Sequence, residues 1–179
     1  MNQPVSSSTP TSQAEWQALA TNLTLEGRKA RGCQHTSIKL ANDAGECYPL
    51  EVFNLHLGLS ARERQAQSGI LGRSPEFADL DANTPCLVAG DFNDWRSLLR
   101  AFYVEGMGLA CATDHETGQG PKAIKTYPSF SPRGGLDRIY YRGGLQLLNV
   151  QRSRYKVARI ASDHLPVVAD FKLMNGEQT

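Results

Sequence analysis

Four short stretches of this 179-residue chain carry side chains that could do chemistry together: Asn54-Leu55-His56-Leu57, Gly90-Asp91-Phe92-Asn93-Asp94, Leu136-Asp137-Arg138-Ile139 and Ser162-Asp163-His164. Asp91 and Asn93 stand two residues apart after the apolar run Cys86-Leu87-Val88-Ala89. On an extended backbone an anionic oxygen and a neutral amide then point the same way, as a metal-assisted phosphate site requires. Asp163 and His164 are side by side before an apolar strand. They join a carboxylate that can hold a cation to an imidazole that titrates near neutrality. Asp137 sits among apolar neighbours, where a carboxylate is solvated or paired with a histidine, Arg138 or Arg152.

Each stretch also has an ordinary reading. Gly, Asp and Asn form turns, a histidine at a strand end such as His56 is commonly a surface or core residue, and Asp163 serves equally as a cap. The run Asp114-His115-Glu116 reads as a solvated loop, because three adjacent side chains cannot converge on one ion.

The elements that must position these groups follow from periodicity and turn chemistry. Gly32 to Leu40 and Tyr48 to His56 read as antiparallel strands joined across Asn42-Asp43-Ala44-Gly45. Ser60-Ala61-Arg62-Glu63 has capping-box spacing, and Ala66, Ile70 and Leu71 continue a helix until Gly72 and Pro75. Cys86 to Gly90 is the next strand, so strand, helix and strand predict an α/β layered domain. Trp95 to Met107 reads as a second helix closed by Gly106 and Gly108, and Cys111 to Ser131 as a long surface loop. Strands over Gly134 to Tyr141 and Leu145 to Val150 are expected to pair across Arg142-Gly143-Gly144. At the front, residues 1–11 read as a disordered tail, and the box Ser12-Gln13-Ala14-Glu15 predicts a short helix to about Asn22 with Trp16 seeking a packing surface.

A formal net charge of +1 gives no global pull toward nucleic acid or membrane, so phosphate binding must come from a few placed groups. Cys33, Cys47, Cys86 and Cys111 are widely spaced and lack a C-x-x-C pair, which predicts reduced thiols and argues against zinc. With neither a secretory leader nor a transmembrane run in the sequence, a soluble cytoplasmic protein is expected. No Gly-rich phosphate loop is present.

Taken together and in this order, the four stretches resemble the endonuclease/exonuclease/phosphatase superfamily, which includes DNase I-like nucleases, inositol-polyphosphate phosphatases and neutral sphingomyelinases. The match covers about residues 28 to 173. The resemblance implies an α/β fold that is part of a four-layer α/β sandwich of the DNase I-like type. It divides the chain into a tail and helix over 1–27, the domain over 28–175 and a tail over 176–179. It makes His164 the catalytic histidine held by Asp137, Asp91 the group that positions or deprotonates water, and Asn93 the amide that orients Asp91 and contacts phosphate. It makes His56 a phosphate or leaving-group contact and Asp163, with Asp91, a ligand of Mg²⁺, Mn²⁺ being the alternative. The front half of such a sandwich, with its principal metal-binding Glu, is not found here. Two expectations follow: a metal-dependent phosphoester hydrolase, alone or completed by a second copy or a complementing chain, or a truncated, non-catalytic, partner-binding remnant. Nucleic acid, phospholipid and inositol phosphate are not distinguished as substrates. Arg133, Arg138 and Arg142 are candidates for a local anion contact, and Thr126-Tyr127-Pro128-Ser129 for a substrate wall.

Overall fold

A computed structural model describes residues 16–41, 46–115 and 122–174. The expected N-terminal tail and its cap, the packing of Trp16, the turn over 42–45, residues Glu116 and Gly118, and the C-terminal tail lie outside that description.

β3 (Cys47–His56) is the strand from which the architecture follows. Glu51, Phe53 and Leu55 are buried while Asn54 and His56 are exposed, the alternation that a pleated strand imposes when one face is covered. It sits inside a six-stranded sheet of order β1-β2-β3-β4-β8-β5. The other members are β1 (Trp16–Asn22), β2 (Gly32–Ala41), β4 (Cys86–Asp91), β5 (Ala110–Cys111) and β8 (Asp137–Arg142). β3 and β4 are parallel and the remaining pairs antiparallel. The parallel crossover is made by α1 (Ala61–Arg73) and α2 (Pro75–Ala78).

The covered face holds the core: Phe53, Leu55, Val88, Phe92 and Tyr140 pack with Leu71, Phe77 and Tyr103. Phe92, Tyr103 and Tyr140 form a ring cluster with centroids 4.7–5.2 Å apart. α1 opens with the expected capping box, Ser60 and Glu63 each accepting the other's backbone N–H. Its inner face is polar as well as apolar. Gln67 Oε1 accepts the Gly58 N–H at 2.7 Å, Ser68 Oγ accepts from Tyr103 Oη at 3.0 Å, and Arg64 faces Asp94 at 3.8 Å. The helix therefore anchors the loops leaving β3 and β4.

Three expectations are corrected. The segment ending at Asn22 is a strand, not a helix: Gln17-Ala18-Leu19-Ala20-Thr21 fits either periodicity, and pairing along β2 from Trp16↔Ile38 to Asn22↔Gly32 decides it. With it, Leu23 enters the core, fully buried. Residues 95–107 do not form a continuous helix. Asn93 and Ser97 have positive φ (51° and 54°), Asp94 accepts the Leu99 N–H, and within this stretch a π-helical turn spans Phe102–Gly106. Last, β9 (Leu145–Arg152) does not pair with β8. Both edges of β8 are taken by β4 and β5, so the chain turns away at Gly143 (φ 74°) and β9 pairs with β10 (Val167–Leu173).

The β9–β10 ribbon touches the opposite sheet face where Phe171 meets Tyr141 at 5.0 Å. A two-stranded ribbon, β6 (Asp114–His115) with β7 (Lys122–Ala123), and α3 (Lys156–Ala161) between β9 and β10 complete the described elements. Among the described residues no helix is long and apolar enough to cross a membrane.

Candidate active site

Strand register builds most of the site. His56 is the cross-strand partner of Asp91, and Asp91 of Asp137, so three polar side chains form one row across β3, β4 and β8. They lie on the face opposite Phe53, Val88 and Tyr140, because side chains alternate along each strand. The ladder continues past the strand ends through Leu57 N–H to Asp91 O and Phe92 N–H to Leu136 O, both 2.9 Å. Gly90 permits this close row: its φ is 137°, and a Cβ there would lie 1.9 Å from the Leu55 carbonyl oxygen.

His164 arrives from outside the sheet. Its loop is tied to the 126–129 loop by Leu165 N–H to Thr126 O (2.9 Å) and Ser129 N–H to Asp163 O (2.7 Å). Nδ1 of His164 then lies 2.8 Å from Asp137 Oδ2, leaving Nε2 4.0 Å from Asp91 Oδ2. On the other side His56 Nε2 is 3.5 Å from the same Asp91 oxygen. Asp137 Oδ2 also accepts from the Thr126 hydroxyl. Thr126 is fully buried, and the Tyr127 ring packs beside His164 with centroids 5.0 Å apart.

Not every expected group takes its expected place. The Asn93 side chain turns inward, donating from Nδ2 to Leu57 O at 2.9 Å; its backbone N–H, not its amide, meets Asp91 Oδ1 at 2.8 Å. Asp91, Asp137 and His164 each offer a ligand atom within 4.8 Å of the others, whereas Asp163 is exposed and stands outside that group. Arg138 and Arg142 are not free for an anion. Arg138 is 2% exposed and bonded to Asp114 (3.1 Å) and Ser97 (2.7 Å), and Arg142 lies 4.7 Å over the Phe77 ring. Asp114 also holds Arg100 at 2.7 Å, an ion-pair role. The four cysteines are free, and burial pushes the Cys33 and Cys86 thiols up to about 12.

Thr126, expected in a substrate wall, has a role that the sequence does not reveal: it holds Asp137, and nothing local ties a threonine to a carboxylate eleven residues on.

Electrostatics distinguish the three titrating groups. Burial, followed by the neighbouring Asp137 charge, raises the Asp91 carboxyl above its ordinary range, against the Asn93 N–H and the two histidines. Burial lowers His56, helped by the positive charges of Arg31 and Lys29. Burial also acts to lower His164, but the hydrogen bond and charge of Asp137, with Asp91 and Asp163, outweigh it, and His164 ends above the ordinary value of 6.5. An open groove of about 540 Å³, lined by Gly32, Gln34, Asn54, His56, Gly90 and Asp91, runs along this face.

Residues 22–164 match the family model described as the Endonuclease/Exonuclease/phosphatase family. The protein YbhP of Escherichia coli strain K12 is 32% identical over 124 residues, which are 69% of this chain and 47% of YbhP. The chain thus spans about half the length of the curated relatives it matches. A solved endonuclease/exonuclease/phosphatase from Beutenbergia cavernae superposes with a TM-score of 0.66 at 19% identity, over 90% of this chain and 45% of that one. The human Nocturnin catalytic domain, solved with a bound sulfate anion, gives 0.65 at 21% identity over 89% and 60%. At these identities the structural likeness is one of fold.

Proposed function

The chain belongs to the endonuclease/exonuclease/phosphatase family, whose members hydrolyse phosphoesters, and from that premise we propose that His56, Asp91, Asn93, Asp137 and His164 form a divalent-metal-dependent phosphoester hydrolase site. The observation that carries the reading is the position of Asp91 Oδ2, 4.0 Å from His164 Nε2 and 3.5 Å from His56 Nε2. One water oxygen fits between Asp91 and His164 at ordinary hydrogen-bond distance, about 2.8 Å from each.

Asp137 accepts the Nδ1 proton of His164, which fixes the tautomer with a free lone pair on Nε2. Thr126 and His164 both hold the same Asp137 oxygen, so that carboxylate cannot swing away. Nε2 of His164 takes a proton from the bridging water while Asp91 orients it for in-line attack. His56, neutral at pH 7 because its pKa is lowered, donates a ring N–H hydrogen bond to a phosphoryl oxygen, and the leaving oxygen takes its proton from solvent. Asn93 acts through its backbone N–H, which fixes Asp91.

The donor set fits a hard divalent cation: Asp91 and Asp137 crowd two carboxylates together, and a cation relieves their repulsion. Asp91 and Asp137, the two carboxylates of that set, would hold Mg²⁺ or Mn²⁺. When bound, the ion neutralises charge on the phosphoryl oxygens.

A second reading is favoured by one specific observation. Asp137 Oδ2 is already committed to two hydrogen bonds, so the described residues give a thinner oxygen set than the roughly six ligands Mg²⁺ takes. On that reading the chain is a non-catalytic or partner-binding portion, completed by a second copy or a complementing chain. Hydrolysis of bis(p-nitrophenyl) phosphate with Mg²⁺ or with EDTA, beside His164→Ala, separates the two. Turnover that needs both the metal and His164 supports the enzyme reading. A folded chain without metal-dependent turnover supports the second.

A further inference from the structure

Side chains at the rim of the site, beyond His164, are presented in a way that the proposed chemistry does not use. Ile160 is 86% exposed, Phe130 78%, Tyr155 77% and Val157 70%. The 126–131 loop and α3 are joined where the Ser129 hydroxyl, next to Phe130, donates to the Arg159 carbonyl, next to Ile160, at 3.3 Å, and Val157 lies one turn from Ile160 on α3. α3 buries Ala158 and turns Val157 and Ile160 to solvent, the reverse of what a helix packed on its own domain does. The same segment is purely basic. Residues 150–162 contain Arg152, Arg154, Lys156 and Arg159 and no acidic residue, although the chain as a whole carries a net charge of only +1. Arg154, Lys156 and Arg159 are exposed.

We propose that α3 and the tip of the 126–131 loop dock this protein on an anionic phospholipid surface, Val157, Ile160, Phe130 and Tyr155 entering the interface while Arg154, Lys156 and Arg159 meet the headgroup phosphates. Charge complementarity selects an anionic partner. The aliphatic side chains select lipid over nucleic acid: stacking on bases uses flat aromatic faces, to which valine and isoleucine add nothing, whereas an acyl boundary rewards burial of either. Each basic residue at such a surface strengthens binding about fivefold, and the attraction fades with salt. The docking goes beyond the hydrolytic reading and does not depend on it, since it is scored without turnover.

Co-sedimentation of the purified chain with phosphatidylcholine vesicles, with and without added phosphatidylglycerol, tests it. Binding should require phosphatidylglycerol and weaken as salt is raised. The pair Val157→Ser with Ile160→Ser should lower binding at least about tenfold, and Lys156→Gln or Arg159→Gln about fivefold each. Both aliphatic side chains are exposed, so the double variant should keep the parent's circular dichroism and unfolding midpoint. Failure to sediment with the anionic vesicles overturns the proposal. So does vesicle binding unchanged in the double variant, or tighter binding to a single-stranded oligonucleotide that the charge variants weaken and the double variant leaves alone.

Discussion

The two faces of the six-stranded sheet are built by different rules. On one, Phe53, Leu55, Val88 and Tyr140 are at most 4% exposed, packed under α1, α2 and the π-helical turn. On the other, strictly alternate residues of the same strands, His56, Asp91 and Asp137, are polar and partly open, with side-chain exposures of 55%, 19% and 25%. The covered face supplies stability through burial. The open face accepts unfavourable electrostatics: a carboxylate raised by burial, a histidine lowered by it, and two acidic groups as cross-strand partners. One backbone ladder serves both, because its register fixes the row of functional groups as firmly as it fixes the core.

Substitutions can separate the two faces, and the largest effect is expected where they share a backbone. Gly90→Ala forces a Cβ into the Leu55 carbonyl, so it should cost more than about 4 kcal/mol and abolish cooperative urea unfolding. A variant that unfolds like the parent would show that β3 and β4 can separate without loss. His164→Ala should lower phosphodiester hydrolysis about 100- to 10,000-fold while moving the unfolding free energy by less than about 1 kcal/mol, since it removes no core contact. Loss of stability matching the loss of rate would erase the division between the faces.

Thr126→Val tests the link between loop and row. Without the hydroxyl, Asp137 Oδ2 loses one of two donors and holds the His164 imidazolium more tightly, so the His164 pKa rises further. The base form of His164 appears only as pH climbs through that raised value. Activity of the parent should therefore rise along a limb above pH 6.5, and the variant's limb should lie higher still. The stability that the His164 and Asp137 pair contributes runs the other way, being present below the ordinary histidine value and lost as pH rises through the raised one. An unshifted limb in a pH–rate profile would reduce Thr126 to a space-filling role.

The smallest effect on stability is expected for Asp91→Asn. The folded state raises this carboxyl above its unfolded value, so ionisation at neutral pH opposes folding. The amide should leave stability unchanged or raise it by up to about 1 kcal/mol at pH 7. That gain should vanish as pH falls through the carboxylate range, where the folded state takes up its proton first. Thermal unfolding at neutral and acid pH checks both sign and window, and destabilisation at pH 7 would contradict an open face placed at a cost to the fold.

Residue types and local spacing by themselves locate β3, β4, β8 and β10, the capped start of α1, and the Asp, Asn and His positions at the strand ends. Those features depend on neighbours a few residues apart: alternation, an N-cap with its return contact, glycine at a turn. The family model that matches residues 22–164 bears out the resemblance that those stretches carry together. What tertiary structure decided were competitions between distant partners. Residues 16–22 became a strand because β2 had a free edge, and β9 left β8 because both of its edges were filled. Arg138 was withdrawn from any anion by Asp114, twenty-four residues away. Thr126 was drawn to Asp137, and the Asn93 side chain was turned inward to the carbonyl of Leu57. A sequence lists which groups could bond. Only the folded chain, in which each donor has one place to go, determines which of them do.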